Sequence, residues 1–216
     1  LYDGASAVAE ACSLANGYNS KTKVLLSSTL NPSYIDVVKT YFSYNNISIE
    51  LIDQKDGLTD IESLEKIIDD DTSCLVIQSP NYYGLLEDWN TFTKYKDTFK
   101  DLLVIAVSDP LSLSIINTPG DTNCDVYVGE GQTLGNYLEY GGPYLGLISC
   151  NKKFIRKIPG RIIGKTEDVD GKDAYAMVLQ TREQHIRRDR ATSNICTNQG
   201  LLALRATIYM SLMGKT

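Results

Sequence analysis

Chemistry has few places to sit in this 216-residue chain, and the richest is the stretch 125–150, DVYVGEGQTLGNYLEYGGPYLGLISC. Two apolar runs, 126–128 and 144–148, read as strands. The polar loop between them carries Gly129, Gly131, Gly135, Gly141 and Gly142 and closes on Pro143. Loops of that length are uncommon in compact domains unless they have a task. This one offers oxygen acceptors, Gln132 and tyrosines that include Tyr140, and it holds no Lys, His or Cys. It can bind or shape a ligand, but it supplies no amine, imidazole or thiol nucleophile.

Other candidates are scattered. Gly4-Ala5-Ser6 at a helix start has N–H groups and a dipole suited to a phosphate, or is an ordinary small-residue helix start. No GxxxxGK[ST] loop occurs. Asp109 follows the most apolar run and could face a cationic ligand group, or act as a turn acid before Pro110. Arg182, His185, Arg187, Arg188 and Arg190 form the densest charge cluster. It reads as an anion site, a subunit contact or a solvated face, and its preference for Arg over Lys favours pairing with carboxylates or phosphates. Lys165 reads as an exposed loop lysine with nothing near it to desolvate the amine. Ser, His and Asp occur without a GxSxG elbow, so triad chemistry is set aside.

The elements that must position these groups alternate. A helix opens at Asp3 or Ser6 and is expected to leave at Gly17. A buried strand over 23–28 follows, then a helix from Asn31-Pro32 to about Tyr44. Strand 47–52 leads to a capping box at Thr59-Asp60-Ile61-Glu62, with its helix running to about Asp69. Strand 74–78, a helix from Glu87 or Asp88 to near Lys100, and strand 102–107 come next. Continuous apolar strands alternating with helices imply an α/β fold, a mostly parallel sheet with helices on both faces. Ligands of such sheets bind at the C-terminal strand ends, which puts 79–84, Asp109 and the loop 129–143 near one rim. Beyond Cys150 the pattern changes to an expected antiparallel pair, 162–165 with 175–180, and a last helix capped at Thr197 or Asn198.

Composition narrows the classes. Hydrophobic residues make up 43%, enough for a core. The formal charge of −6 argues against nucleic acid or an anionic membrane as main partner. No apolar run is long enough to span a bilayer, and the start carries no charged region of a signal peptide. Cys12, Cys74, Cys124, Cys150 and Cys196 form no CxxC pair, which reads as reduced, mostly buried thiols. With His185 as the only histidine, no metal site is expected. A start without Met and an end inside a helix read as one large domain, 1–216, cut from a longer chain.

Several stretches together resemble one family. These are Tyr2-Asp3-Gly4-Ala5-Ser6-Ala7-Val8-Ala9-Glu10-Ala11, Asn31-Pro32 with Val37-Val38-Lys39-Thr40, Gln78-Ser79-Pro80-Asn81, Gly141-Gly142-Pro143-Tyr144 and Arg156-Lys157-Ile158-Pro159-Gly160-Arg161. The most specific is Leu179-Gln180-Thr181-Arg182-Glu183-Gln184-His185-Ile186-Arg187-Arg188, which continues through Ala191-Thr192-Ser193-Asn194-Ile195-Cys196-Thr197-Asn198-Gln199. They resemble the N-terminal half, or separate first subunit, of the glycine cleavage system P protein, glycine dehydrogenase (decarboxylating). The resemblance covers essentially the whole chain.

It implies the aspartate-aminotransferase-like large domain of pyridoxal phosphate (PLP) enzymes, fold type I, with most of the small domain and the N-terminal arm lying outside this chain. It implies PLP-dependent decarboxylation of glycine, with the aminomethyl group passed to the lipoyl arm of the H protein. Such chemistry needs a Schiff-base lysine, an acid at the ring nitrogen and N–H donors for the phosphate. By the resemblance Asp109 matches the acid and Gly4, Ala5 and Ser6 the phosphate-binding start. The lysine belongs before the GGP turn, in a family His-Lys-Thr, where this chain has Gly131-Gln132-Thr133. A Gln amide forms no Schiff base, so no catalytic residue is expected here and the site reads as degenerate. PLP would then be held by a partner, P-protein subunit 2. Tyr140, Gly141, Gly142, Pro143, Arg182, His185, Arg187, Arg188 and Asn194 would shape that partner's site. A bacterial cytoplasmic location is inferred from the free cysteines. A docking domain without chemistry, or a self-sufficient fold type I decarboxylase or transaminase, are the competing readings.

Overall fold

The computed structural model describes residues 1–191, 193, 195 and 199–214. Its centre is a six-stranded sheet. The strands are β1 (Lys23–Ser27), β2 (Ser48–Ile52), β5 (Thr72–Gln78), β6 (Leu103–Val107), β7 (Val126–Glu130) and β8 (Gly146–Cys150), in the order β2-β1-β5-β6-β7-β8. All neighbours are parallel except β7 and β8. A short hairpin, β3 (Gln54–Lys55) with β4 (Leu58–Thr59), follows β2.

Alternation along the inner strands builds two cores. Val24, Leu26, Cys74, Val76, Ile105 and Val128 point to one face. There they meet α1 (Gly4–Asn19) and α2 (Pro32–Phe42) through Ala11, Leu14, Ile35 and Val38. Leu25, Leu75, Ile77, Val104 and Ala106 point to the other, against Leu64 of α3 (Ile61–Ile67) and Trp89 and Phe92 of α4 (Trp89–Thr93). Burying side chains of this size on both faces is the main favourable contribution, about 1.5–3 kcal/mol each before chain entropy is subtracted. The mostly parallel sheet covered on both faces is thus present.

Several boundaries differ from the sequence pattern, each for a local reason. Helix α1 runs past Gly17 to Asn19 and leaves through Ser20 in the left-handed region (φ 61°), where the Ser20 N–H reaches the Asn16 carbonyl at 2.7 Å. Asp60, and not Thr59, caps α3, because the Thr59 N–H and hydroxyl are bound to the buried Glu87 carboxylate at 3.0 Å each. Asp88 caps α4, which tightens after one turn into a 3-10 segment, Lys94–Asp97, short of Lys100. Helix α2 stops at Phe42. Strand β8 begins at Gly146 because the Leu145 N–H and carbonyl are committed to Glu130 and Gly131.

After β8 the chain forms an antiparallel ribbon, β9 (Ile162–Glu167) with β10 (Asp173–Val178), then a short helical turn α5 (Gln184–Arg187) and the helix α6 (Gly200–Met213). Leu202, Ala206 and Tyr209 of α6 pack on Leu134, Leu145 and Leu147. Leu201, Leu204, Ile208 and Leu212 form an outward apolar stripe. No described helix is long and apolar enough to cross a membrane. Cys12, Cys74 and Cys124 are buried free thiols and Cys150 is half-buried. The expected cap at Thr197 or Asn198, and Cys196, lie outside the described residues.

Candidate functional site

The rim at the strands' C-terminal ends gathers three segments around one side chain that the sequence reading did not single out. Glu130 ends β7 and turns toward the start of α1. Its Oε2 accepts the Gly4 N–H at 2.8 Å. Its Oε1 accepts the N–H of Gln132 at 2.9 Å and of Leu145 at 3.0 Å. A free N–H at a helix N-terminus favours a negative charge through its own bond and the helix dipole. Here the charge comes from the same chain. Burial lifts the Glu130 carboxyl above the usual carboxylate range, while the Gly4, Leu145 and Gln132 N–H bonds pull it back.

The Ser6 and Ala7 N–H groups of the α1 start are also bonded, both to Asp3. Asp3 and Ser6 form a reciprocal capping box, with the Ser6 N–H on Asp3 Oδ1 at 2.7 Å and the Asp3 N–H on Ser6 Oγ at 3.1 Å. Ala5 is buried beside them. A Cβ on Gly4 would lie 2.5 Å from the Tyr34 hydroxyl and 3.1 Å from Glu130 Cβ, so a side chain there would require Tyr34 to shift. Burial, and then the charge of Glu130, raise the Tyr34 hydroxyl well above its ordinary pKa.

Gln132 sits in a 3-10 turn, Gly131–Thr133, and folds back on its own loop, its Nε2 donating to the Asn136 carbonyl at 2.7 Å. Asp109 is exposed at the end of β6. Its Oδ1 accepts the Leu111 N–H at 2.8 Å and the Thr133 hydroxyl at 3.1 Å. It therefore acts as a turn acid and also ties the β6 end to the loop. The structure thus brings Gly4, Gln132 and Asp109 to one rim, linked by Glu130 and Thr133. A negatively charged residue between two glycines at a strand end was the available signal for Glu130, and it was too local to show which helix the carboxylate would reach.

The remaining candidates lie on two other surfaces. Tyr140, Gly141 and Pro143 are exposed and Gly142 half-exposed at the loop tip, where Tyr140 (φ 49°) and Gly141 (φ 91°) are left-handed. Arg205 of α6 holds this tip through Glu139 at 3.8 Å and the Tyr137 ring at 4.6 Å. The Arg182 guanidinium donates to the Ile158 and Gly160 carbonyls, fixing the Pro159-Gly160 turn. His185 and Arg161 flank the Glu183 carboxylate at 3.7 and 3.8 Å. With Arg156 and Lys157 they line an open basic cleft of about 640 Å³, mouth included. Arg187 and Arg188 are exposed, and Asn194 lies outside the described residues. Among the described residues no three His, Cys, Asp or Glu side chains converge as a metal site.

Known proteins share this sequence pattern and fold. A family model for the glycine cleavage system P-protein matches residues 1–216. The chain is 48% identical over 215 residues to a probable glycine dehydrogenase (decarboxylating) subunit 1 of Desulforamulus reducens, covering 100% of this chain and 48% of that protein. The corresponding protein of Coprothermobacter proteolyticus is 49% identical over 214 residues, covering 99% and 48%. An inhibitor-bound crystal structure of glycine decarboxylase (P-protein) of the glycine cleavage system superposes with a TM-score of 0.93 at 36% identity, covering 99% and 48%. A sphingosine-1-phosphate lyase of Burkholderia pseudomallei shares the fold alone, with a TM-score of 0.66 at 11% identity over 99% of this chain and 47% of that one.

The sheet and its covering helices have the fold of fold type I PLP enzymes. Within that class the chain belongs to the glycine cleavage system P-protein family. It spans about half the length of the curated relatives it matches.

Proposed function

We propose that this chain is the large domain of the P-protein half that does not hold PLP, and that it works by completing a PLP-bearing partner subunit. The assembled protein would decarboxylate glycine and transfer the aminomethyl group to the lipoylated H protein, in a bacterial cytoplasm. The observation that carries this reading is at the rim. The residues present do not fit PLP: Gln132 stands where the resemblance expects the anchoring lysine, and its amide is bonded to Asn136. The Gly4 N–H that would meet a phosphate is already bonded to Glu130. The names of the relatives, subunit 1, support a partner subunit.

The same reading makes Tyr140, Gly141, Gly142 and Pro143, with Arg182, His185, Arg187, Arg188 and Asn194, contributors to the partner's site and its interface. A second reading, a docking domain with no part in the chemistry, is favoured by the outward stripe of Leu201, Leu204, Ile208 and Leu212. Co-purification with the candidate PLP-bearing subunit, followed by glycine–CO2 exchange in the presence of H protein, separates the two. Loss of exchange in Arg188→Ala with assembly intact supports participation. Unchanged exchange in Arg188→Ala and Gly142→Ala supports docking alone. A self-sufficient PLP enzyme would show the visible absorption of a lysine-bound cofactor on this chain when PLP is added.

A further inference from the structure

We propose that Glu130 is a built-in anion that seals this chain's cofactor cradle, so that the missing lysine is only half of the lesion. The inference rests on the degenerate-site reading and goes beyond it, since that reading needs only Gln132. The geometry is specific. One carboxylate accepts N–H groups from three separate segments: Gly4 at the α1 start, Gln132 in the loop and Leu145 ahead of β8. Those bonds close the space between the helix N-terminus and the loop that would face the cofactor's phosphate end. Tyr34 packs against the same turn, its hydroxyl 2.5 Å from where a Cβ on Gly4 would stand.

An entering phosphate would have to displace a carboxylate of the same sign, already bonded and attached to the chain, so it pays no association entropy. Two like charges in one half-buried cradle repel, and leaving either unpaired is costly. Restoring the lysine alone would therefore place an amine next to a cradle that still excludes the phosphate. Glu130 is on this view a positioning residue: it locks the loop 131–145 against α1 and presents the loop's outer surface in one fixed shape.

The test uses the full-length polypeptide with its partner, comparing wild type, Gln132→Lys, Glu130→Ala and the double variant. Each is given PLP, reduced with borohydride and peptide-mapped at position 132, so that cofactor on the partner does not interfere. In a productive reaction the lysine amine condenses with the aldehyde carbon, water leaves, and hydride reduces the new C=N bond to a stable amine. The expected result is at least a tenfold higher yield at residue 132 in the double variant than in Gln132→Lys alone. Equal yields in the two would overturn the proposal. A PLP adduct on any lysine of this chain in the wild type would instead overturn the degenerate-site reading. Thermal melting gives an independent readout. Inorganic phosphate or formate is expected to raise the melting temperature of Glu130→Ala and to leave wild type unchanged. If Glu130→Ala fails to fold, the same anions are expected to rescue it, and failure of both to do so counts against the proposal.

Discussion

The Gln132 side chain donates to the Asn136 carbonyl at 2.7 Å, and the Asn136 amide returns a bond to the Gly131 carbonyl at 3.0 Å. The two residues lock the first turn of the long loop from both sides. Asn136 is buried, whereas Tyr137, Leu138 and Tyr140 beyond it are exposed. Asn136→Ala is expected to lose about 1 kcal/mol, the net worth of one hydrogen bond. It should also speed chymotryptic cleavage after Tyr137 or Tyr140, which peptide mapping of a timed digest would read.

Asp125 carries a larger load. Its side chain is 1% exposed, with Lys96 at 2.9 Å, Lys153 at 3.3 Å and the Val104 N–H at 3.1 Å. It fastens β6 to the start of β7 and to the turn after β8. Both lysines keep access to solvent, so the main loss is the acceptor of the buried Val104 N–H, and Asp125→Ala should destabilise by about 1–3 kcal/mol. A urea midpoint within experimental error of wild type would refute that.

The titration of Glu130 has a definite sign. Its folded pKa lies above the ordinary 4.5 because burial outweighs the three N–H bonds. The folded chain thus holds this proton more tightly than the unfolded chain, and stability falls as pH rises between the two pKa values. Above the folded value the contribution is constant. The stability of wild type minus that of Glu130→Gln should decline with rising pH from about 4.5 upward and then level, in urea titrations across the acid range. A difference that grows with pH would contradict the assignment.

The Cys124 thiol is 4% exposed, and burial pushes it up to about 11 from 9.0. Two pKa units lower the thiolate fraction near pH 8 about a hundredfold, and burial slows access further. Iodoacetamide should therefore modify Cys124 in denatured chain and spare it in native chain. Equal labelling in both states, read by mass spectrometry, would show that the β6–β7 connection opens.

The sheet was legible because its inner strands are buried on both faces, and a continuous run such as Val104-Ile105-Ala106 has few alternatives. Helix starts at Asp3, Asn31 and Asp88 were legible because a cap is a local bond, whereas α3 is capped by Asp60, one residue past the expected Thr59. Helix ends were less so: Gly17 suited an exit, but the chain took Ser20 three residues later, where Asn16 could close the turn. At the site, Gln132 and Asp109 could be placed from the order of motifs. Glu130 could not, because its role depends on a partner 126 residues away, and nothing in the Gly129-Glu130-Gly131 sequence names that distance. The arginine cluster shows the same limit. Arg182 spends its guanidinium on two carbonyls of a turn more than twenty residues earlier, which charge patterning alone cannot show.

The bond between Gly4 and Glu130 also sets an order of events during synthesis. Helix α1 leaves the ribosome before β7, so its opening N–H waits for an acceptor 126 residues downstream, and the closing donor, Leu145, comes later still. Contacts at such separation form only after a long loop has been closed, so they belong to the late part of folding. Until β7 has been translated, α1 has its own Asp3–Ser6 box to hold its start together. A nascent chain arrested before residue 130 should therefore carry a formed but loosely docked α1, and one arrested after β8 should hold it fast.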